Sequence, residues 1–152
     1  MPMPPVKVFF YGLFMDPDLL RKQGLTPDKP IVARLDHYEL RLGERATMLP
    51  TPGEQVWGIV MGLNEQELKK LYAPPSVADY KPHQIVCYTE KGDKLNAVSY
   101  ILPDGYPLLP PKNADYAKKL LTICKKMNIP PFYCNHISVM ISAIENKGNE
   151  EK

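Results

Sequence analysis

Seventeen of the 152 residues are proline, about twice ordinary usage, and four pairs stand out: Pro4-Pro5, Pro74-Pro75, Pro110-Pro111 and Pro130-Pro131. Proline lacks an N–H and fixes φ, so it ends helices and interrupts ladders. A chain punctuated this often excludes a long, uninterrupted helix bundle. It favours short elements, with the prolines at their boundaries. At this length one domain is expected across residues 1–152, with a flexible tail from about residue 146.

Charge and composition exclude several classes. Nineteen Lys and Arg stand against 17 Asp and Glu, a formal +2. That balance gives no electrostatic footprint for nucleic acid or a membrane surface. No apolar run approaches the 18 or so residues of a membrane-spanning helix. The start, MPMPPVKVFFYG, lacks the long apolar core and small-residue cleavage site of a secretion signal. A cytoplasmic protein is the expectation. Cys87, Cys124 and Cys134 form no C-x-x-C pair, and His37, His83 and His136 are scattered. They are read as structural, with no metal site. No phosphate loop, G-x-S-x-G elbow or internal repeat is present.

Residues 6–11, VKVFFY, read as a buried strand closed by Gly12. Asp16 and Pro17 then open a short helix that Gly24 can end. Residues 29–42 have no cleanly apolar face and read as two strands, or one strand with a bulge. Residues 47–53 are turn-rich. Residues 55–63, QVWGIVMGL, form a second strong strand, and Gly58 and Gly62 inside it mark a bend or a close approach of backbone. Asn64 caps a helix with Glu67 at its third position, and Pro74-Pro75 stops it. Residues 84–89 and 96–102 flank EKGDK as a hairpin. Residues 113–126 carry a helical stripe, as do Ile137, Met140, Ile141 and Ile144. Strands fill the first two thirds and the longest helices come last. The fold class is α+β, with a mixed, barrel-like sheet of six or seven strands and peripheral helices.

FFYGLFMDP is the sharpest local feature: a buried strand turning through Tyr-Gly into a capped helix. Backbone N–H groups of such a turn can converge on an anion, and Gly12 lets a ligand approach. A plain strand-to-helix turn fits the same residues, since Asp16 and Asp18 already complement the helix start.

FFYGLFMDPDLL, EQVWGIVMGLNEQELKKL, ADYKPHQIVCYT and ADYAKKLLTICKKMNIPPFYCNHI, taken in that order, resemble the gamma-glutamylcyclotransferase-like superfamily over residues 6–137. The resemblance implies a cavity at the end of the first strand. Its loop amides, here at Tyr11, Gly12, Leu13, Phe14 and Met15, would hold a ligand's alpha-carboxylate. A glutamate would take a proton from a gamma-glutamyl alpha-amine, whose attack on the gamma-carbonyl releases the amine and gives 5-oxoproline, with no cofactor.

Two positions depart from the family pattern. Leu13 stands where the family keeps Ser or Thr. The catalytic glutamate falls on Pro75 when counted from Leu71, or on Ala73 when counted back from Tyr80. Neither side chain can move a proton. Asp79 and Glu44 are the surrogate acids; Glu65 and Glu67 read as helix-start residues. Tyr80 matches the family's strand tyrosine and serves either ligand binding or packing. Three readings follow: a cyclotransferase with a relocated acid, a non-catalytic binder of a small carboxylate, or an interaction domain without a ligand. Oligomeric state and the amine half of any substrate are not marked in the sequence.

Overall fold

The computed structural model describes residues 5–111 and 113–150, with side chains to residue 146. Five strands, β1 (Val6–Phe10), β2 (Ile31–Leu42), β3 (Ala46–Leu63), β4 (Lys81–Thr89) and β5 (Lys94–Ile101), close into a barrel in the order β1-β3-β2-β4-β5. Every pairing is antiparallel except β1 with β5, which meet in parallel at Val8 and Val98. Ser99 Oγ reinforces that closure by donating to the Phe9 carbonyl at 3.0 Å, wholly buried. The architecture is the expected α+β, mixed-sheet barrel.

The strand count is five rather than six or seven, because two stretches are continuous. Residues 31–42 form one bulged strand. His37 takes φ 66°, and the register with β3 slips between Asp36 and Tyr38. Opposite it, residues 51–54 loop out, and the Gly53 N–H donates to His37 Nδ1. The turn-rich stretch at 47–53 is therefore β3 itself plus this excursion. Pro50 is tolerated there because β1 pairs with β3 only from Ile59 to Leu63, leaving the Pro50 edge outside that ladder.

From Val8 to Phe10 of β1 and from Val56 to Leu63 of β3 both faces are buried, so these stretches read as continuous apolar runs rather than alternations. The two glycines of β3 mark close approaches, as expected. A Cβ at Gly58 would strike the Phe10 carbonyl, and one at Gly62 would strike the Asp28 carboxylate, which accepts the Gly62 N–H.

Four helices surround the barrel: α1 (Pro17–Lys22), α2 (Glu65–Leu71), α3 (Asp115–Lys126) and α4 (Pro131–Glu150). Asp16 caps α1 by accepting the Asp18 N–H, and Asn64 with Glu67 forms a reciprocal capping box on α2. Glu67 also accepts from the Thr26 N–H at 2.7 Å, which ties α2 to the chain before β2. α4 continues through the stretch expected to be a flexible tail, running as helix to Glu150. It packs on α3, and its Phe132 meets Trp57 of β3 edge-to-face. Lys126, at the end of α3, reaches both Asp16 oxygens at 3.0 Å and Asp18 Oδ2 at 2.8 Å. That clamp holds α3 over the loop that leaves β1.

No helix among the described residues is long and apolar enough to cross a membrane. Cys87, Cys124 and Cys134 are unpaired and buried, and burial pushes the thiols up, to about 11 for Cys87 and about 12 for Cys124.

Candidate functional site

β1 ends in Tyr11-Gly12, and a single 3-10 turn, Leu13–Met15, follows before α1 begins. The turn is closed by the Met15 N–H donating to the Gly12 carbonyl at 3.0 Å and the Asp16 N–H donating to the Leu13 carbonyl at 3.2 Å. Those two amides are thus spent inside the loop. Tyr116 of α3 sets its phenol oxygen near the Leu13 N–H, whose dipole acts to lower that phenol's pKa. A Cβ on Gly12 would lie 2.9 Å from the Tyr116 hydroxyl, which would have to shift to admit it.

The loop forms one wall of a cavity of about 290 Å³. Tyr11, Gly12, Leu13, Phe14 and Tyr80 all line it, so five of the six sequence-nominated binding residues meet at one place. The sixth, Met15, puts its side chain wholly in the core. The deep members, Phe9, Phe10, Tyr11 and Ala46, are buried, whereas Ser76 is exposed and Arg45 partly so. The cavity therefore runs from an apolar end to a polar mouth.

Its walls are a connected set of rings. Tyr72 and Tyr100 stack at 3.9 Å, Phe14 meets Tyr72 edge-on at 6.0 Å and Phe10 at 6.3 Å, and Tyr80 lies 6.4 Å from Tyr72. Several hydroxyls point back into the protein. Tyr11 donates to the Tyr100 carbonyl at 2.7 Å, and Tyr80 donates to the Ala46 carbonyl. Burial raises the pKa of Tyr11, Tyr72 and Tyr80 well above the ordinary phenol value; for Tyr116 burial outweighs the Leu13 N–H and gives about 12. These phenols stay protonated at neutral pH, so they are donors and ring faces rather than bases.

Arg45 supplies the charge. It sits just after the β2–β3 turn, which the segment 102–111 straps down by taking the Glu44 N–H on the Leu109 carbonyl at 2.9 Å. Its Nη1 donates to the Ser76 carbonyl at 3.1 Å and lies 3.5 Å from Asp79 Oδ2. The guanidinium covers the rings of Tyr80 and Tyr106 at 5.5 and 5.2 Å. Burial is the largest effect on it and lowers its pKa, but Tyr106, Tyr80 and Asp79 together carry it above the ordinary value.

Among the described residues, none that lines the cavity is acidic. Pro75, where the resemblance puts the glutamate, is exposed on the turn between α2 and β4; Ala73 is exposed too. The cavity is lined instead by the next residues, Ser76 and Val77. Asp79 stands beside Arg45 outside the lining, and its Oδ2 accepts from the Tyr106 hydroxyl at 2.6 Å. Glu44 is exposed on the β2–β3 turn, also outside the lining. Glu67 serves the capping box and Thr26, and Glu65 the first turn of α2, as expected. No three of His, Cys, Asp and Glu gather into a metal-holding group among the described residues.

Arg45, Tyr72, Tyr100 and Tyr116 are cavity residues that sequence reasoning passed over. Tyr116 falls in the helical stripe of residues 113–126 and Tyr72 at the end of the helix that Asn64 caps, while Arg45 is simply the neighbour of Glu44 on a turn. Only the closure of the barrel brings them together.

The gamma-glutamylcyclotransferases of Bos taurus and Homo sapiens are 28% and 27% identical over 116 residues, covering 67% of this chain and 61% of each relative. The chain thus matches less than two thirds of those relatives' length. A solved gamma-glutamyl cyclotransferase structure superposes with a TM-score of 0.74 at 22% identity, covering 88% of this chain and 86% of the other, a likeness of fold. A family profile described as "Gamma-glutamyl cyclotransferase, AIG2-like" matches residues 8–119. Most of the chain lies within that match, the barrel and the cavity loop included, and the chain belongs to this family.

Proposed function

We propose that this family member uses its cavity to bind a small molecule by a free alpha-carboxylate, without a carboxylate base placed to turn it over. The observation that carries the reading is Arg45: among the described residues it is the one charged side chain lining an otherwise aromatic cavity. A guanidinium in partly desolvated surroundings pairs with a carboxylate through two parallel N–H bonds, among the stronger contacts a protein makes. The Tyr-Gly loop supplies the adjacent wall. With the amides of Met15 and Asp16 already engaged inside the loop, more of the anion recognition falls to the guanidinium.

A second reading keeps the reaction of the relatives' name, cyclisation of a gamma-glutamyl amine to 5-oxoproline. It is favoured by Asp79, 3.5 Å from a cavity-lining group. In that reaction the alpha-amine attacks the gamma-carbonyl, the C–N bond to the leaving amine breaks, and a base carries the proton from one nitrogen to the other. Orientation supplies much of the acceleration, because the attack is intramolecular. Asp79, however, already accepts from Tyr106 and faces Arg45.

Isothermal calorimetry of the purified chain against a panel of small carboxylates, 5-oxoproline and a gamma-glutamyl amine included, tests the binding reading. At least one member is expected to bind, and Arg45→Gln is expected to weaken it by about tenfold or more, the worth of one charge-assisted contact. Gly12→Trp should abolish binding by filling the cavity from its loop wall. Binding unchanged in Arg45→Gln, or no binding across the panel, would overturn it.

A further inference from the structure

We infer that the ligand is a one-ring carboxylate carrying no ammonium group: its ring enters the aromatic end of the cavity and its carboxylate meets Arg45 at the mouth. This rests on the carboxylate-binding reading above and names the class of ligand.

Three features of the cavity lead there. The first is the want of an acceptor for a cation. A free ammonium needs a carboxylate or several open carbonyls once it leaves water. Among the described lining residues there is no acid, and Asp79, outside the lining, already accepts from Tyr106 and faces Arg45. Three nearby carbonyls are already accepting: Tyr100 from Tyr11, Ala46 from Tyr80, and Ser76 from Arg45. Ring faces can also hold a cation. Here the Tyr80 face is already covered by the Arg45 guanidinium, whose like charge opposes a second cation. A zwitterionic amino acid, or a gamma-glutamyl amine with its free alpha-amine, therefore meets a site suited to only one of its charges.

The second feature is the wall. Phe10, Phe14, Tyr72 and Tyr100 contact one another edge-on and face-on, and an added ring continues that pattern. The third is size. About 290 Å³ equals roughly ten water volumes. It falls at the lower limit of drug-sized pockets and suits one ring with a short arm. The gradient from buried aromatics to Arg45 and Ser76 fixes the orientation, ring inward and carboxylate outward.

Three probes separate these elements in calorimetry on the full chain. Phenylpropionate has ring and carboxylate, phenylalanine adds the ammonium, and propionate removes the ring. Phenylpropionate is expected to bind about tenfold or more tighter than either of the others, the scale of one lost or opposed contact. Arg45→Gln should erase its advantage. Phenylalanine binding as tightly as phenylpropionate would overturn the ammonium rule, and propionate binding as tightly would overturn the ring. In either case binding that still depends on Arg45 leaves the broader carboxylate reading standing. No binding by any of the three, with a gamma-glutamyl amine binding instead, would overturn the inference alone. No carboxylate binding at all would overturn both.

Discussion

Arg45 and Asp79 decide between the two readings because they make opposite demands on one substitution. Asp79 Oδ2 lies 3.5 Å from the guanidinium and is half exposed, at 47%, so the pair is a weak, partly screened one. If Arg45 is a ligand-binding group, Asp79 competes with the ligand for it. Asp79→Asn is then expected to tighten carboxylate binding by about two- to fivefold, matching the 0–1 kcal/mol of an exposed pair. Calorimetry on the variant reads this directly. If Asp79 were a proton carrier, the same change would leave affinity near wild type and abolish turnover. Residue by residue, the sequence was informative about the Asp16 and Asn64 caps, whose roles depend on close neighbours in the chain, and about Gly12 and Gly58, where the residue type alone signals a close approach. It was silent on Arg45. A turn arginine looks the same whether it faces solvent or a cavity, and what turns this one inward is the segment 102–111, some 60 residues further on.

The turn between α2 and β4 holds Pro75, the position at which the resemblance puts the catalytic glutamate. Residues 74–80 fold on themselves, with the Val77 N–H on the Pro74 carbonyl at 3.0 Å and the Tyr80 N–H on the Val77 carbonyl at 3.2 Å. This carries Pro75 to the surface and presents Ser76 and Val77 to the cavity. Counting from Leu71 finds the motif position by number, but the turn decides which number faces inward. Restoring glutamate at Pro75 is accordingly expected to leave 5-oxoproline release from a gamma-glutamyl amine at the wild-type level. Ser76→Glu, one residue on, is expected to raise it by roughly 10²–10⁴-fold over Pro75→Glu, the usual worth of a placed general base. A rise in Pro75→Glu alone would show that the turn re-forms around the ligand. The strands carry a similar lesson. VKVFFY and QVWGIVMGL were legible because both faces are buried from Val8 and from Val56 onward. Residues 47–53 were not, because proline and glycine there mark an edge and a looped-out bulge rather than the end of a strand.

At the scale of the whole molecule, closure of the barrel places the cavity. A five-stranded sheet closes through a short parallel contact between β1 and β5, secured by Ser99 on the Phe9 carbonyl. Closure leaves the end of β1 open against α3, the β2–β3 turn and the α2–β4 turn. The cavity lies among these elements, lined by Tyr11 and Gly12 from the first, Tyr116 from the second, Arg45 from the third and Ser76 from the fourth. The α+β class and the place of the loop were legible from the order of the motifs. The cavity's chemistry was not, since its residues come from separate parts of the chain and share no spacing. The central claim is that this arrangement recognises a carboxylate but holds no base in position to complete a cyclisation. Release of 5-oxoproline from a panel of gamma-glutamyl amines by the wild-type chain tests it most directly. The expected result is no release above the uncatalysed rate, with carboxylate binding intact in the same preparation. Catalysed release that disappears in Asp79→Asn would contradict it.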